Sequence, residues 1–230
     1  MRSPERAGRA NSYGGGVHDL TRRRLYLCTP MRDDMASFLT AVLRGGVDVV
    51  QLREKVLPHD QQVTTAREMA VICHDHDVPF IMNDSPEHAV AFGADGVHVG
   101  QDDVTVARCR ELLGPGAIVG LSTHSTPEFE LARTQDATYF SAGPIAPTPT
   151  KLGRAGTGVG YALECEGRSD RPVFVTGGVN GENIGTLVGA GLRHFVVVRA
   201  LTESRNPEES AHHLREALDA AFSAMAVEPT

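Results

Sequence analysis

Short β-branched runs alternate with longer helical patterns from residue 25 to residue 226, and this alternation constrains the chain more than any other feature. The runs are Leu25–Cys28, Val47–Leu52, Phe80–Met82, Gly96–Val99, Ala117–Leu121, Tyr139–Ser141, Val173–Thr176 and Phe195–Val198. Helical patterns follow at Asp34–Arg44, Asp60–His76, Pro86–Phe92, Val104–Leu113, Thr126–Thr134, a short Tyr161–Cys165, Gly181–Ala190 and Pro207–Ala226. Strands separated by helices pair in parallel through right-handed crossovers. Eight units in about 205 residues predict a single-domain α/β fold, the (β/α)8 TIM barrel, with a doubly wound open sheet as the alternative. Glycine follows a helix and precedes a β run at Gly45-Gly46, Gly93 and Gly189 to Gly191, and each is expected to close its helix in the left-handed conformation. The device recurs along one continuous barrel domain over residues 24–226. A flexible Arg-, Ser- and Gly-rich tail is expected over residues 1–23.

The tail has no apolar core, so it does not read as a secretory signal. No apolar run reaches the ~20 residues that cross a bilayer. A formal net charge of −7 argues against a protein that grips nucleic acid through its phosphates. Aromatics are 5 % and Trp is absent, so the core is aliphatic. Cys28, Cys73, Cys109 and Cys165 form no CxxC pair, which argues against a zinc site and suits buried thiols in a cytoplasmic protein.

In a (β/α)8 barrel, chemistry sits at the C-terminal ends of the strands. After the second run, Gln51, Arg53 and Lys55 fall on one face, and two cations with an amide suit a polyanionic ligand. Asn83-Asp84 follows the third run, and Asp102-Asp103 the fourth. Asp84 or Asp103 alone reads as a helix N-cap more readily than as a ligand, whereas two carboxylates together bring Mg²⁺ into competition. His98 reads as a hydrogen-bonded residue of the barrel interior. After the fifth run, Ser122 offers a hydroxyl, and Ser125 or Thr126 is expected to cap the next helix. No Ser/His/Asp triad is evident. A long loop after the sixth run carries Thr148, Thr150 and Lys151, two hydroxyls and a cation for phosphate. Gly177-Gly178 after the seventh run offers bare amides near a helix start, and Val198-Arg199 ends the eighth. These residues alone point to Mg²⁺-dependent transfer between two phosphorylated small molecules.

The series Gln51-Leu52-Arg53-Glu54-Lys55, Asn83-Asp84, His98-x-Gly100-Gln101-x-Asp103, Thr148-x-Thr150-Lys151 and Gly177-Gly178 resembles the thiamine phosphate synthase family. The resemblance runs from about Leu25 to Ala221. It implies a transferase of thiamine biosynthesis that joins a hydroxymethylpyrimidine diphosphate to a thiazole phosphate, or its carboxylated form, and releases pyrophosphate. It implies Mg²⁺ on Asp84 and Asp103. It places Gln51, Arg53, Lys55, Asn83 and Lys151 on the pyrimidine diphosphate, Ser122 on the pyrimidine side, and Thr148, Thr150 and Gly178 or Gly177 on the thiazole phosphate. Glu54, Val198 and Arg199 complete the expected substrate-binding set. Arg53, Lys55, Lys151 and Ser122 form the expected catalytic set. Arg199 departs from the family pattern, where a Ser is common. The partners implied are small molecules, with no nucleic acid and no membrane, and with room for a homo-oligomer. Two other readings are a thiazole tautomerase working through His124 and a non-catalytic phosphate-binding barrel.

Overall fold

The computed structural model describes residues 19–56, 58–147 and 155–227. Eight parallel strands close on themselves in sequence order: β1 Leu25–Thr29, β2 Val49–Leu52, β3 Phe80–Asn83, β4 Gly96–Val99, β5 Ile118–Thr123, β6 Tyr139–Ala142, β7 Val173–Val175 and β8 His194–Val197. The ring shuts where Leu25 of β1 registers with Phe195 of β8. The helices are α1 Met35–Arg44, α2 His59–Asp75, α3 Pro86–Phe92, α4 Val106–Leu113, α5 Thr126–Arg133, α6 Gly158–Arg168, α7 Ile184–Gly189, α8 Arg199–Thr202 and α9 Pro207–Val227. The expected (β/α)8 barrel is therefore the observed one, and the open sheet is excluded.

Side-chain alternation divides the apolar residues into two layers. One set of strand residues, including Leu25, Leu27, Val50, Leu52, Phe80, Val97 and Phe140, packs outward against the helices. The other, Tyr26, Cys28, Val49, Ile81, Ile118, Tyr139, Phe174 and Val196, fills the barrel interior. The same alternation sends Gln51, Asn83, His98, Ser122 and Ser141 to the inside, one step nearer the strands' C-terminal ends.

The opposite, N-terminal rim is pinned by a repeated device. Asp48, just before β2, accepts from the backbone N–H groups of Arg24 and Leu25 at 2.9–3.0 Å. Asp95, just before β4, accepts from Phe80 N–H at 2.8 Å. Thr138, just before β6, accepts from Val119 N–H at 2.9 Å. In each pair the same residue's own N–H returns a bond to the neighbouring strand, on Leu25, Phe80 and Val119 respectively.

Several local expectations shift. Gly46, Gly93 and Gly191 are left-handed as expected, but Gly45 is right-handed and the α7 cap is Ala190. The sixth helix is longer than the short Tyr161–Cys165 pattern, because Ala162 and Cys165 are buried against the barrel and carry the turns around them. The eighth run gives way at Val198 to α8, so Arg199 starts a helical turn instead of extending a strand. At the N-terminus, Leu20–Arg22 forms a 3-10 turn, and Leu20 is buried beneath the interior layer. That stretch of the expected tail packs on the barrel. All four cysteines are buried. Among the described residues no helix is long and apolar enough to cross a membrane.

Candidate active site

A cavity of about 610 Å³ opens at the strands' C-terminal ends. Its walls include Gln51, Arg53, Lys55, Asn83, Asp84, Asp103, Ser122, Gly177, Gly178, Val198 and Arg199. The fold thus brings these expected site residues to one place. Thr148, Thr150 and Lys151 lie outside the described residues. Glu54 does not line the cavity. Its carboxylate accepts from Met31 N–H at 3.1 Å and Val56 N–H at 2.6 Å, and so ties together the loops after β1 and β2.

Backbone pairing carries past the strand ends and fixes the first polar group. Arg53 N–H donates to Thr29 at 2.8 Å, and Asp84 N–H to His98 at 2.8 Å. Asp84 then turns into the left-handed region at φ 62°, a conformation unusual for a residue with a Cβ. Its Oδ2 lies 2.9 Å from Lys55 Nζ. Below this pair, Gln51 Nε2 donates to Asn83 Oδ1 at 3.0 Å. Asp103 Oδ2 accepts from Gly100 N–H at 2.7 Å. Burial raises the Asp84 carboxyl above its ordinary range, Lys55 opposes the shift, and the nearby charge of Asp103 adds to it.

Neither aspartate caps a helix. Ser85 caps α3 by accepting from His88 N–H, and Thr105 caps α4 by accepting from Arg108 N–H. Two facing hard-oxygen groups, one half-buried and only partly balanced by Lys55, fit a divalent cation such as Mg²⁺. Among the described residues no cluster of three or more His, Cys, Asp or Glu could hold a metal, so substrate oxygens and water would complete the shell.

Strand order sets β7 across the ring from β3, and with it the second polar group. Gly177 and Gly178 both have positive φ, 92° and 85°. A Cβ on Gly177 would stand 2.2 Å from Pro144 Cβ, so the β6 and β7 loops close together only with glycine there. Among the described residues no group accepts from the N–H of Gly177 or Gly178. Reciprocal bonds between Asn180 and Asn183 hold the turn beyond, and Asn183 Nδ2 donates to Gly178 O at 2.8 Å. The helix expected from Gly181 starts at Ile184, so the two glycines present these amides and the helix end does not. Arg199 enters the same side of the cavity.

The floor contains groups beyond the expected set. His98 reaches Tyr139 Oη through Nδ1 at 2.9 Å and Ser122 Oγ through Nε2 at 2.8 Å. Tyr139 Oη lies 2.9 Å from Tyr26 Oη. Gln101 Nε2 donates to Ser122 O at 2.6 Å. The sequence signal for Tyr26 and Tyr139 was their inward parity, shared with Cys28 and Ser141. His124 also lines the cavity, with Nδ1 and its backbone N–H both on Glu128 Oε2 at 2.9 Å. Ser125 caps α5, as expected.

A closed parallel barrel with a polar, half-buried cavity at its C-terminal mouth defines the class: a (β/α)8-barrel enzyme. A family model described as thiamine monophosphate synthase matches residues 25–201. The chain belongs to this family of transferases. A thiamine-phosphate synthase of Mycobacterium bovis is 39 % identical over 216 residues, covering 88 % of this chain and 97 % of the relative. One from Acidothermus cellulolyticus is 41 % identical over 209 residues, covering 88 % and 98 %. The solved thiamine phosphate pyrophosphorylase from Pyrococcus furiosus superposes with a TM-score of 0.78 at 23 % identity, covering 87 % and 97 %, and shares the fold.

Proposed function

We propose that the protein is a thiamine phosphate synthase that joins 4-amino-2-methyl-5-hydroxymethylpyrimidine diphosphate to 4-methyl-5-(2-hydroxyethyl)thiazole phosphate, or its carboxylated form. The products are thiamine phosphate and pyrophosphate, with carbon dioxide released as well when the thiazole is carboxylated. One observation carries this reading: the mouth has two chemically distinct poles. Lys55, Arg53, Asp84 and Asp103 face a site suited to a diphosphate and a cation. Gly177 and Gly178, across the ring, offer amides suited to a monophosphate.

On this reading Gln51 and Asn83 orient the pyrimidine while Arg53 and Lys55 hold the diphosphate oxygens. The bond between the methylene carbon and the diphosphate oxygen breaks, and its electron pair leaves with pyrophosphate. Lys55 and Arg53 stabilise that growing charge. The electron-rich aminopyrimidine carries the methylene cation. The thiazole, anchored by its phosphate on Gly177 and Gly178, presents its ring nitrogen, whose lone pair forms the new C–N bond. No protein nucleophile is needed. Mg²⁺ held by Asp84 and Asp103 would neutralise diphosphate charge. Thr148, Thr150 and Lys151 join the two phosphate sites in this assignment, and the four buried thiols support a reducing, cytoplasmic setting.

The test incubates the purified protein with both substrates and Mg²⁺ and follows thiamine phosphate and pyrophosphate together. Equal formation of both is expected. Isomerised thiazole without pyrophosphate would replace this reading with a tautomerase using His124. Ligand binding with no product would replace it with a non-catalytic barrel.

A further inference from the structure

Five polar side chains form a continuous chain across the barrel floor. Tyr26 Oη, Tyr139 Oη, the two ring nitrogens of His98 and Ser122 Oγ follow one another at 2.9, 2.9 and 2.8 Å, and Ser141 Oγ lies 3.3 Å beyond. They come from β1, β6, β4 and β5, and each is buried. All five line the cavity, with Tyr26 1 % exposed and Ser122 5 %, so the order of protons along the chain decides which end offers a donor to the ligand space.

Counting donors selects that order. Each hydroxyl carries one proton, and a neutral imidazole carries one on either nitrogen. Suppose the chain runs from Ser122 towards Tyr26. Ser122 then donates to His98, His98 to Tyr139 and Tyr139 to Tyr26, which leaves the Tyr26 proton without an acceptor. Tyr26 is 1 % exposed, and among the described residues the other ionisable group that bears on it is the Cys28 thiol, a weak acceptor. A buried donor left unpaired is strongly penalised. In the opposite order Tyr26 donates to Tyr139, Tyr139 to Nδ1 of His98, and Nε2–H to Ser122 Oγ. Ser141 is also placed to donate to Ser122. Every floor donor then has an acceptor, and the one proton left over is that of the Ser122 hydroxyl, which faces the cavity.

We propose that Tyr26, Tyr139 and His98 are positioning residues that lock His98 in its Nε2–H tautomer, so that Ser122 presents its hydroxyl to the cavity as a donor. The group it meets is a hydrogen-bond acceptor, and on the reading above, on which the substrate's identity rests, that acceptor belongs to the pyrimidine ring. Burial holds both tyrosines in their protonated form, which keeps the chain supplied with donors.

The test is ¹⁵N NMR of the full-length protein labelled at histidine, with the His98 signals assigned by a His98→Gln spectrum. The Nε2–H tautomer is expected in the parent. Tyr139→Phe removes the donor to Nδ1 and is expected to release that preference. It should also lower kcat about fivefold or more while leaving KM for the thiazole phosphate unchanged. Tyr26→Phe leaves the Tyr139 proton free to meet Nδ1 and is expected to keep the tautomer. An Nδ1–H or doubly protonated ring in the parent would overturn the proposal, as would an unchanged tautomer in Tyr139→Phe. If Tyr139→Phe fails to fold, the parent and Tyr26→Phe spectra still decide. An Nε2–H ring in a parent that forms no thiamine phosphate would refute the synthase reading and leave the proton order standing.

Discussion

Lys55 Nζ lies 2.9 Å from Asp84 Oδ2, joining the loop after β2 to the loop after β3 at the edge of the cavity. Lys55 is half exposed, so the pair adds little to the stability of the fold. On the proposed reading its value lies in placing one cation where a diphosphate would meet it. Lys55→Ala is therefore expected to leave the melting temperature nearly unchanged. It should raise KM for the pyrimidine diphosphate about tenfold or more, and leave KM for the thiazole phosphate within about twofold. Steady-state kinetics with each substrate varied in turn check this, and equal losses for both would contradict the division of the mouth into two poles.

Asp103 and Asp102 are neighbours at the cavity wall, and their surroundings differ. Asp103 is the one held by Gly100 N–H and the one whose charge bears on Asp84. Asp103→Asn keeps an acceptor for Gly100 while removing the charge. It should cut Mg²⁺-dependent turnover by about a hundredfold or more with the fold intact, whereas Asp102→Asn should cost far less. Turnover measured across a Mg²⁺ titration distinguishes the two, and circular dichroism confirms folding.

Gly120 sits beneath Tyr139 and His98. A Cβ there would stand 2.2 Å from Tyr139 Cζ and 2.4 Å from His98 Nδ1, and neither ring can swing away inside a packed barrel. Gly120→Ala is expected to cost about 3 kcal/mol or more. Urea unfolding monitored by circular dichroism would show a lowered midpoint.

Glu166 on α6 is pushed up to about 7, mainly by burial, and Arg193 at 3.5 Å only partly offsets this. Among the described residues its second oxygen has no hydrogen-bond partner. The folded chain holds this proton more tightly than the unfolded chain, whose carboxyl titrates near 4.5. The contribution is therefore fully present below the unfolded value and is lost as pH rises through about 7. Glu166→Gln removes this loss. Its melting temperature relative to the parent is expected to rise between pH 5 and pH 8.5, and a difference that stays flat would contradict the assignment.

Asp48 accepts from two backbone N–H groups, those of Arg24 and Leu25, and pairs with Arg215 of α9 at 2.8 Å. It is nearly fully buried. Asp48→Ala leaves the Arg24 and Leu25 N–H groups unpaired and Arg215 with Asp219 as its remaining carboxylate, and should cost about 3 kcal/mol. Chemical denaturation gives the number directly, and activity at low temperature should persist, since the site lies at the other rim.

The barrel was legible because buried parallel strands read as Val- and Ile-rich runs and because glycine punctuates the helix ends. The first polar group was legible too, since Gln51, Arg53 and Lys55 follow a simple alternation. Other features depend on partners distant in sequence. Ser85 and Thr105 take the caps that Asp84 and Asp103 could have taken, and local spacing does not distinguish these choices. The left-handed turn at Asp84 is set by the β3–β4 ladder. Tyr26 and Tyr139 are 113 residues apart and meet only after the ring closes. Tyr161–Cys165 looked short because Gly158 and Gly160 have poor helix propensity, which burial of Ala162 and Cys165 overrides. α8 has four residues, too few to leave a periodic trace.

The clamps at Asp48, Asp95 and Thr138 also bear on how such a chain can change over time. They bind β1 to β2, β3 to β4 and β5 to β6 at the end remote from the cavity, using main-chain groups that any side chain above them leaves intact. Register is thus secured without help from the mouth. Residues there are free to change while the scaffold beneath keeps its shape.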